Sequence, residues 1–188
     1  MNDEKVTLEF VPDGAQILRE KCRRLTPEEI RSAEVQELIR AMRRTVAENK
    51  RGVGLSENQV GRREAITVIG IKPTPARPDL EPFEKVCINT EIVKTFGEKE
   101  PMWEGCLSTA VDENGEASMG QVPRYKKIRI EYYDEEGKKQ TETIEGIVAH
   151  VVQHETDHLN GILFTDYIGE EKLISYREFT TRVNEGKV

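Results

Sequence analysis

Near its C-terminus the chain reads Gln153-His154-Glu155-Thr156-Asp157-His158. Two histidines at this spacing lie on one face of a helix, where both imidazoles can bind one metal ion. Glu155, beside the first of them, stands where a general base would. The spacing suggests metal-assisted hydrolysis, because a divalent cation acidifies water and polarises a carbonyl. A solvated helix holding two histidines by chance would have polar flanks. Here Ile147, Val148, Val151, Val152 and Leu159 surround the motif, and Gly161 follows as a C-cap. These flanks predict a buried helix, and buried imidazoles need partners.

A catalytic site of this kind takes three protein ligands and leaves a position for water. His150 is the only other histidine; one turn before His154, it is poorly placed to converge on the same ion. The later acids Asp166, Glu170 and Glu171 stand in no recognisable motif. Cysteine is the other candidate. Cys22 lies in a charged segment, and Cys87 sits in Val86-Cys87-Ile88, which reads as strand interior and core. Cys106 sits in Trp103-Glu104-Gly105-Cys106-Leu107-Ser108, a turn-like stretch where glycine permits close approach. Taken alone, Cys106 is as much a core residue as a ligand. Three cysteines and a polar opening over residues 1–5 argue against a disulfide framework and for a reducing cytoplasm.

Three separated segments form a pattern. They are Gly52-Val53-Gly54-Leu55-Ser56-Glu57-Asn58-Gln59, then Glu104-Gly105-Cys106-Leu107-Ser108, then Gln153-His154-Glu155-Thr156-Asp157-His158-Leu159. In this order they resemble the motifs of the peptide deformylase family, and the resemblance runs from Asp13 to Tyr167. It implies a metal held by Cys106, His154 and His158, with Glu155 as base. It implies that the Gln59 side-chain amide and the Leu107 backbone N–H stabilise the developing oxyanion. It also implies that the backbone of Val53 and Gly54 pairs with an extended peptide, that Arg124 lies near the substrate cleft, and that His150 edges the methionine pocket. Asp157 is a candidate to hydrogen-bond a ligand histidine. The implied substrate is an N-formylmethionyl peptide, with formate as product and the ribosome near the nascent-chain exit as a partner. The implied metal is iron(II); zinc, nickel and cobalt suit the same two imidazoles and thiolate.

One departure stands out. The family usually has two alanines where this chain has Ser56 and Glu57. A charged Glu57 must point outward or find a partner. Two alternative functions stay open: the same chemistry on a different N-acyl substrate, and a non-catalytic metal- or peptide-binding module. Glu155 speaks against the second, since a structural site needs a fourth protein ligand and no such carboxylate. An endopeptidase is a weaker fourth reading.

The elements that must position these residues read as one domain spanning residues 1–188. Composition is 36% hydrophobic and 34% charged, and the net charge of -7 argues against a nucleic-acid footprint. No apolar run has the length of a membrane span. Thr26-Pro27-Glu28-Glu29 signals a helix N-terminus, and Val35, Leu38, Ile39, Met42 and Val46 recur at helical spacing, predicting a helix over 26–49. Strands are expected at 65–71, at 86–89 and 92–96 as a pair, and at 128–132 and 139–144 as a hairpin turning at Asp134-Glu135-Glu136-Gly137. The metal helix is expected over 146–159 and a last helix over 170–184. Without regular β–α alternation the class is α+β, with small, mostly antiparallel sheets packed around the buried H-E-x-x-H helix. Two loops are expected: a proline-rich one over 72–84, and one over 108–123 that borders the site entrance.

Overall fold

The computed structural model describes residues 7–49, 52–73, 80–109, 116–169 and 172–187. In chain order its elements are α1 (Pro27–Ile30), α2 (Ala33–Glu48), β1 (Gly54–Ser56), β2 (Ile66–Ile71), β3 (Phe83–Gly105), β4 (Ser118–Tyr133), β5 (Lys139–Glu145), α3 (Gly146–Leu159), β6 (Ile174–Ser175) and α4 (Tyr176–Asn184). The strands join one antiparallel sheet in the order β1-β2-β3-β4-β5, with β6 on β4. The expected α+β class holds, but one continuous sheet replaces the several small ones expected.

The sheet is covered on both faces. Ile66 and Val68 of β2 pack with Leu38, Ile39 and Met42 of α2, while Ile69 and Ile71 pack with Ala149, Val151 and Val152 of α3. This two-sided burial explains why the β2 sequence is apolar throughout instead of alternating. It also places Ser56 and Thr67, which are cross-strand partners, on the α3 face.

The expected helix over 26–49 is two helices. The capping box forms as read, with Thr26 Oγ1 accepting from the Glu29 N–H at 3.2 Å and Glu29 accepting from the Thr26 N–H at 2.7 Å. The chain then breaks at Arg31, and Ser32 Oγ accepts from the Val35 N–H at 3.3 Å to cap α2. The helical stripe belongs to α2 alone.

The expected strand pair at 86–89 and 92–96 is one bent strand. The first part of β3 pairs with β2 and the later part with β4, with register shifts between Ile88 and Glu91, Ile92 and Lys94, and Phe96 and Lys99. The first bend is at Asn89, whose φ is 58°. Its side chain is buried and clasps the Leu25 backbone, accepting from Leu25 N–H at 2.9 Å and donating to Leu25 C=O at 2.7 Å. Asparagine tolerates the left-handed region better than most residues.

The loop expected over 108–123 is shorter than that. Ser118 onward already belongs to β4, where Pro123 stands opposite Pro101. Two prolines facing each other donate nothing to the ladder, so sequence rules demote both segments. Residues 110–115 of that loop, 74–79 of the proline-rich loop, and Glu170 and Glu171 lie outside the described residues. The hairpin forms as expected, with Asp134 Oδ1 accepting from the Glu136 and Lys138 N–H groups at 3.1 and 2.8 Å. The last helix begins at Tyr176, where Ser175 caps it, with β6 before it. Among the described residues no helix is long and apolar enough to cross a membrane.

Replacing Asn89 by alanine removes both bonds to Leu25 and the tolerance for positive φ. Chemical denaturation should show a loss of about 2–3 kcal/mol; an unchanged midpoint would mean that the bend does not depend on Asn89.

Candidate active site

Three stretches far apart in sequence meet beneath β4. Helix α3 brings His154, Glu155 and His158. The end of β3 brings Glu104 and Cys106. β1 and the 3-10 turn Glu57–Val60 bring Gly54, Ser56 and Gln59. The orientation of α3 is set by side-chain amides. Gln153 donates to the Tyr125 carbonyl at 2.8 Å and accepts from the Tyr125 N–H at 3.0 Å, clipping α3 to β4. Asn58 Nδ2 donates to the His158 carbonyl at 2.7 Å. The helix ends in a Schellman motif: the Gly161 N–H bonds to His158 C=O and the Ile162 N–H to Asp157 C=O, each at 3.0 Å. Gly161 has φ 72° and lies so close to the Arg19 backbone that a Cβ would collide with it.

Cys106, His154 and His158 each offer a ligand atom, all within 4.8 Å of one another. Cys106 Sγ is 3.3 Å from His158 Nε2. Burial pushes the Cys106 thiol up, but the charges and hydrogen bonds of His158 and His154 outweigh it and hold its pKa well below the ordinary value. Burial likewise disfavours a charged His154, yet its bonds to Cys106 and Glu104 outweigh that and raise its pKa well above the usual one. A thiolate with two imidazoles is a donor set that fits a borderline divalent metal such as zinc or iron(II). His154 Nδ1 is engaged by Glu104 Oε2 at 2.8 Å, which leaves Nε2 as its ligand atom.

The carboxylate of Glu155 is buried beside these three residues. Burial raises its pKa, opposed by the two imidazoles and by a hydrogen bond from Ser56. Ser56 Oγ donates to Glu155 Oε2 at 2.8 Å, and Glu155 Oε1 lies over Gly54, where a Cβ would collide with it. Gln59 is no surface amide. Its Oε1 accepts from the Ser56 N–H at 2.8 Å, while its Nε2 points at Cys106 Sγ at 3.5 Å and Ser108 Oγ at 3.3 Å. Leu107 lies in the turn between Cys106 and Ser108, whose N–H donates to Sγ at 3.4 Å. The Val53 carbonyl accepts from the Gly70 N–H at 2.9 Å, holding the start of β1.

Glu104 is the functional residue that the sequence reading passed over. It accepts from Arg124 Nε at 2.6 Å and Nη2 at 3.1 Å, from His150 Nε2 at 2.9 Å and from His154 Nδ1 at 2.8 Å. Burial works against its charge, but His150, His154 and Arg124 together hold its carboxyl far below the usual range. The available signal was its place two residues before Cys106 on a strand, which puts both side chains on one face. Arg124 is 4% exposed, so it is no surface arginine. Its third nitrogen pairs with Asp157 Oδ2 at 2.5 Å, and its guanidinium stacks 4.8 Å from the Tyr167 ring. Asp157 therefore braces Arg124, and His150 is tied to Glu104.

Glu57 does not point outward; it is fully buried, and Glu64 is the carboxylate that acts on it. Burial above all, then the nearby Glu64 carboxylate, pushes its pKa up to about 10, while that of Glu64 is drawn down to about 2, Glu57 first among its causes. Neither Glu57 oxygen has a hydrogen-bond partner among the described residues.

Two predictions follow from these buried carboxyls. Replacing Glu104 by glutamine leaves Arg124 without its main counter-charge and loosens His154. Stability should fall by about 3 kcal/mol, and metal affinity, measured by competition with a chelator, by roughly 10–100-fold. For Glu57, the folded pKa lies above the unfolded 4.5, so its contribution is fully present below that value and is lost as pH rises toward about 10. Replacing Glu57 by glutamine should flatten the fall in Tm between about pH 6 and about pH 9; an equal fall in both proteins would mean that Glu57 is ionised.

An α+β domain whose thiolate, two imidazoles and carboxylate converge in this way has the parts of a metallohydrolase. Comparison with known proteins narrows this to a family. The polypeptide deformylase family model matches residues 7–173. The peptide deformylase of Flavobacterium psychrophilum is 35% identical over 189 aligned residues, covering 96% of this chain and 92% of its own. Among solved structures, the Met-Ala-Ser-bound class I type b peptide deformylase of Acinetobacter baumannii matches with a TM-score of 0.78 and 32% identity, covering 87% of this chain and 99% of that one. A peptide deformylase of Synechococcus elongatus in complex with actinonin matches with a TM-score of 0.70 and 30% identity over 98% of this chain and 91% of that one. The chain belongs to the polypeptide deformylase family and is an enzyme of that family.

Proposed function

We propose that this chain removes the formyl group from N-formylmethionyl peptides and releases formate, with Glu155 as its general base. The observation that carries this reading is the buried Glu155 carboxylate standing directly beside the convergence of Cys106, His154 and His158. Those three residues would hold one divalent metal, which when bound acidifies water and polarises the formyl carbonyl. By family resemblance the metal is iron(II); zinc, nickel and cobalt share the donor preference.

The residues divide the work. Glu155 takes a proton from the water that attacks the formyl carbon, then delivers it to the nitrogen of the leaving amine. The Gln59 amide N–H and the Leu107 backbone N–H donate to the formyl oxygen as it becomes negative, and removing one such donor costs about 2.7–4 kcal/mol of barrier. β1 closes one end of the sheet path and, among the described residues, bonds only to β2 there. Its open edge suits an extended peptide, which would bond to the backbone of Val53 and Gly54. Arg124 acts from beneath this cleft through Glu104 and Asp157, and His150 gives the pocket wall a polar edge. A thiolate ligand suits a reducing compartment, and the cytoplasm, with the ribosome as the source of substrate, is the setting we assign.

The test is formate release from formyl-Met-Ala-Ser by anaerobically purified, iron-loaded protein. Replacing Glu155 by glutamine should keep the metal and cut kcat by about 100-fold or more, whereas Cys106→Ala should lose the metal itself. Wild-type turnover in the Glu155→Gln protein would remove Glu155 from the role of base.

A further inference from the structure

We propose that Ser56 and Thr67 form a hydroxyl relay that fixes the carboxylate of Glu155 in its working orientation, so that Ser56 is a positioning residue. This rests on the reading of Glu155 as the general base.

Four observations carry it. Ser56 is fully buried and Thr67 is 2% exposed, so neither hydroxyl can turn to bulk water. The two are direct cross-strand partners of β1 and β2 on the face toward α3, with oxygens 3.2 Å apart. Ser56 Oγ lies 2.8 Å from Glu155 Oε2 and 3.0 Å from the Glu155 carbonyl. Glu155 Oε1 is packed over Gly54, whose missing side chain makes the room for it.

A serine hydroxyl has one proton to give and two lone pairs to receive with. The charged oxygen Oε2 is the stronger acceptor of that proton and also the nearer one. Thr67 can then donate its own hydroxyl proton to Ser56 Oγ, which leaves the chain Thr67 to Ser56 to Glu155 satisfied in one direction. The outcome is a carboxylate with one oxygen fixed by Ser56 and the other, Oε1, assigned to take the proton of the attacking water and pass it to the leaving amine. An alanine cannot supply this donor. The orientation of Glu155 in this chain thus depends on a bond that an alanine at residue 56 would not make.

The test compares the unsubstituted protein, Ser56→Ala and Thr67→Val, all iron-loaded, by formate release from formyl-Met-Ala-Ser, metal content and thermal midpoint, with a crystal structure of the first variant. Ser56→Ala should lower kcat roughly tenfold, the size expected for one hydrogen bond to a charged group, with KM and metal content unchanged. Its Glu155 carboxylate should occupy more than one rotamer. Thr67→Val, which keeps volume and removes the distal donor, should lower kcat in the same direction and less. A kcat equal to that of the unsubstituted protein, or a Glu155 carboxylate that does not move, overturns the proposal. So does a loss that comes with lost metal or a lowered midpoint in both variants, since that is a packing effect. No formate release by the unsubstituted protein overturns the deformylase reading itself, and the positioning role with it.

Discussion

A buried carboxylate, Glu104, is the point on which the site depends. Ionised and almost out of water, it would be costly if left unpaired. Four donor groups from three other residues surround it: two nitrogens of Arg124, one of His150 and one of His154. The partners come from two elements, Arg124 from β4 and the histidines from successive turns of α3. The carboxylate therefore does more than orient one imidazole. It fixes the distance between α3 and the sheet, and so fixes how His154 and His158 face Cys106. Arg124 extends the same network to Asp157, so the helix is gripped from the strand side at residues 150, 154 and 157.

The sheet makes this possible through irregularity. A straight hairpin of β3 and β4 would carry Cys106 away from α3. The register shifts after Ile88, Ile92 and Phe96 bend the pair so that its far end returns over the helix. Asn89, clasped to Leu25, sets the first of these bends. The remote N-terminal segment and the metal-ligand geometry are thus linked through one left-handed asparagine.

Sequence was a good guide where the signal is local and a poor one where it is tertiary. The α3 boundaries, the Thr26 cap, the β4–β5 turn and the apolar stripe of α2 all follow from spacing and capping chemistry, and all were readable. The break at Arg31 is not legible because two adequate N-caps follow one another and the apolar stripe starts only after the second. The long β3 was read as two strands because its bulges interrupt alternation, and β4 was cut short because Pro123 looks like a loop residue until Pro101 is seen opposite. At the site, the three motifs picked out Cys106, His154, Glu155, His158 and Gln59, which the fold brings together. Glu104 escaped because a glutamate in a charged chain carries no local mark; only its burial against three cationic or donor side chains shows what it does. Glu57 likewise could not be read, since its state depends first on tertiary burial and then on Glu64, a residue outside the motif.

The charge around the site explains why these residues come as a set. Among the described residues, buried Cys106 and Glu104 and the half-buried Asp157 supply negative charge against the single fixed cation of Arg124. In a low-dielectric setting such a surplus must be neutralised. The raised pKa of His154 is one answer, since its proton is held by Cys106 and Glu104 against the cost of burial. A divalent cation between Cys106, His154 and His158 is the better one, because it places two positive charges among the same donors and displaces that proton. The same balance accounts for Glu155. Burial above all raises its proton affinity, opposed by the two imidazoles and the Ser56 hydroxyl, with the Cys106 thiolate adding a little to the rise. A cation at the three ligands would draw that affinity back down, toward the range in which a base both accepts a proton and gives it up.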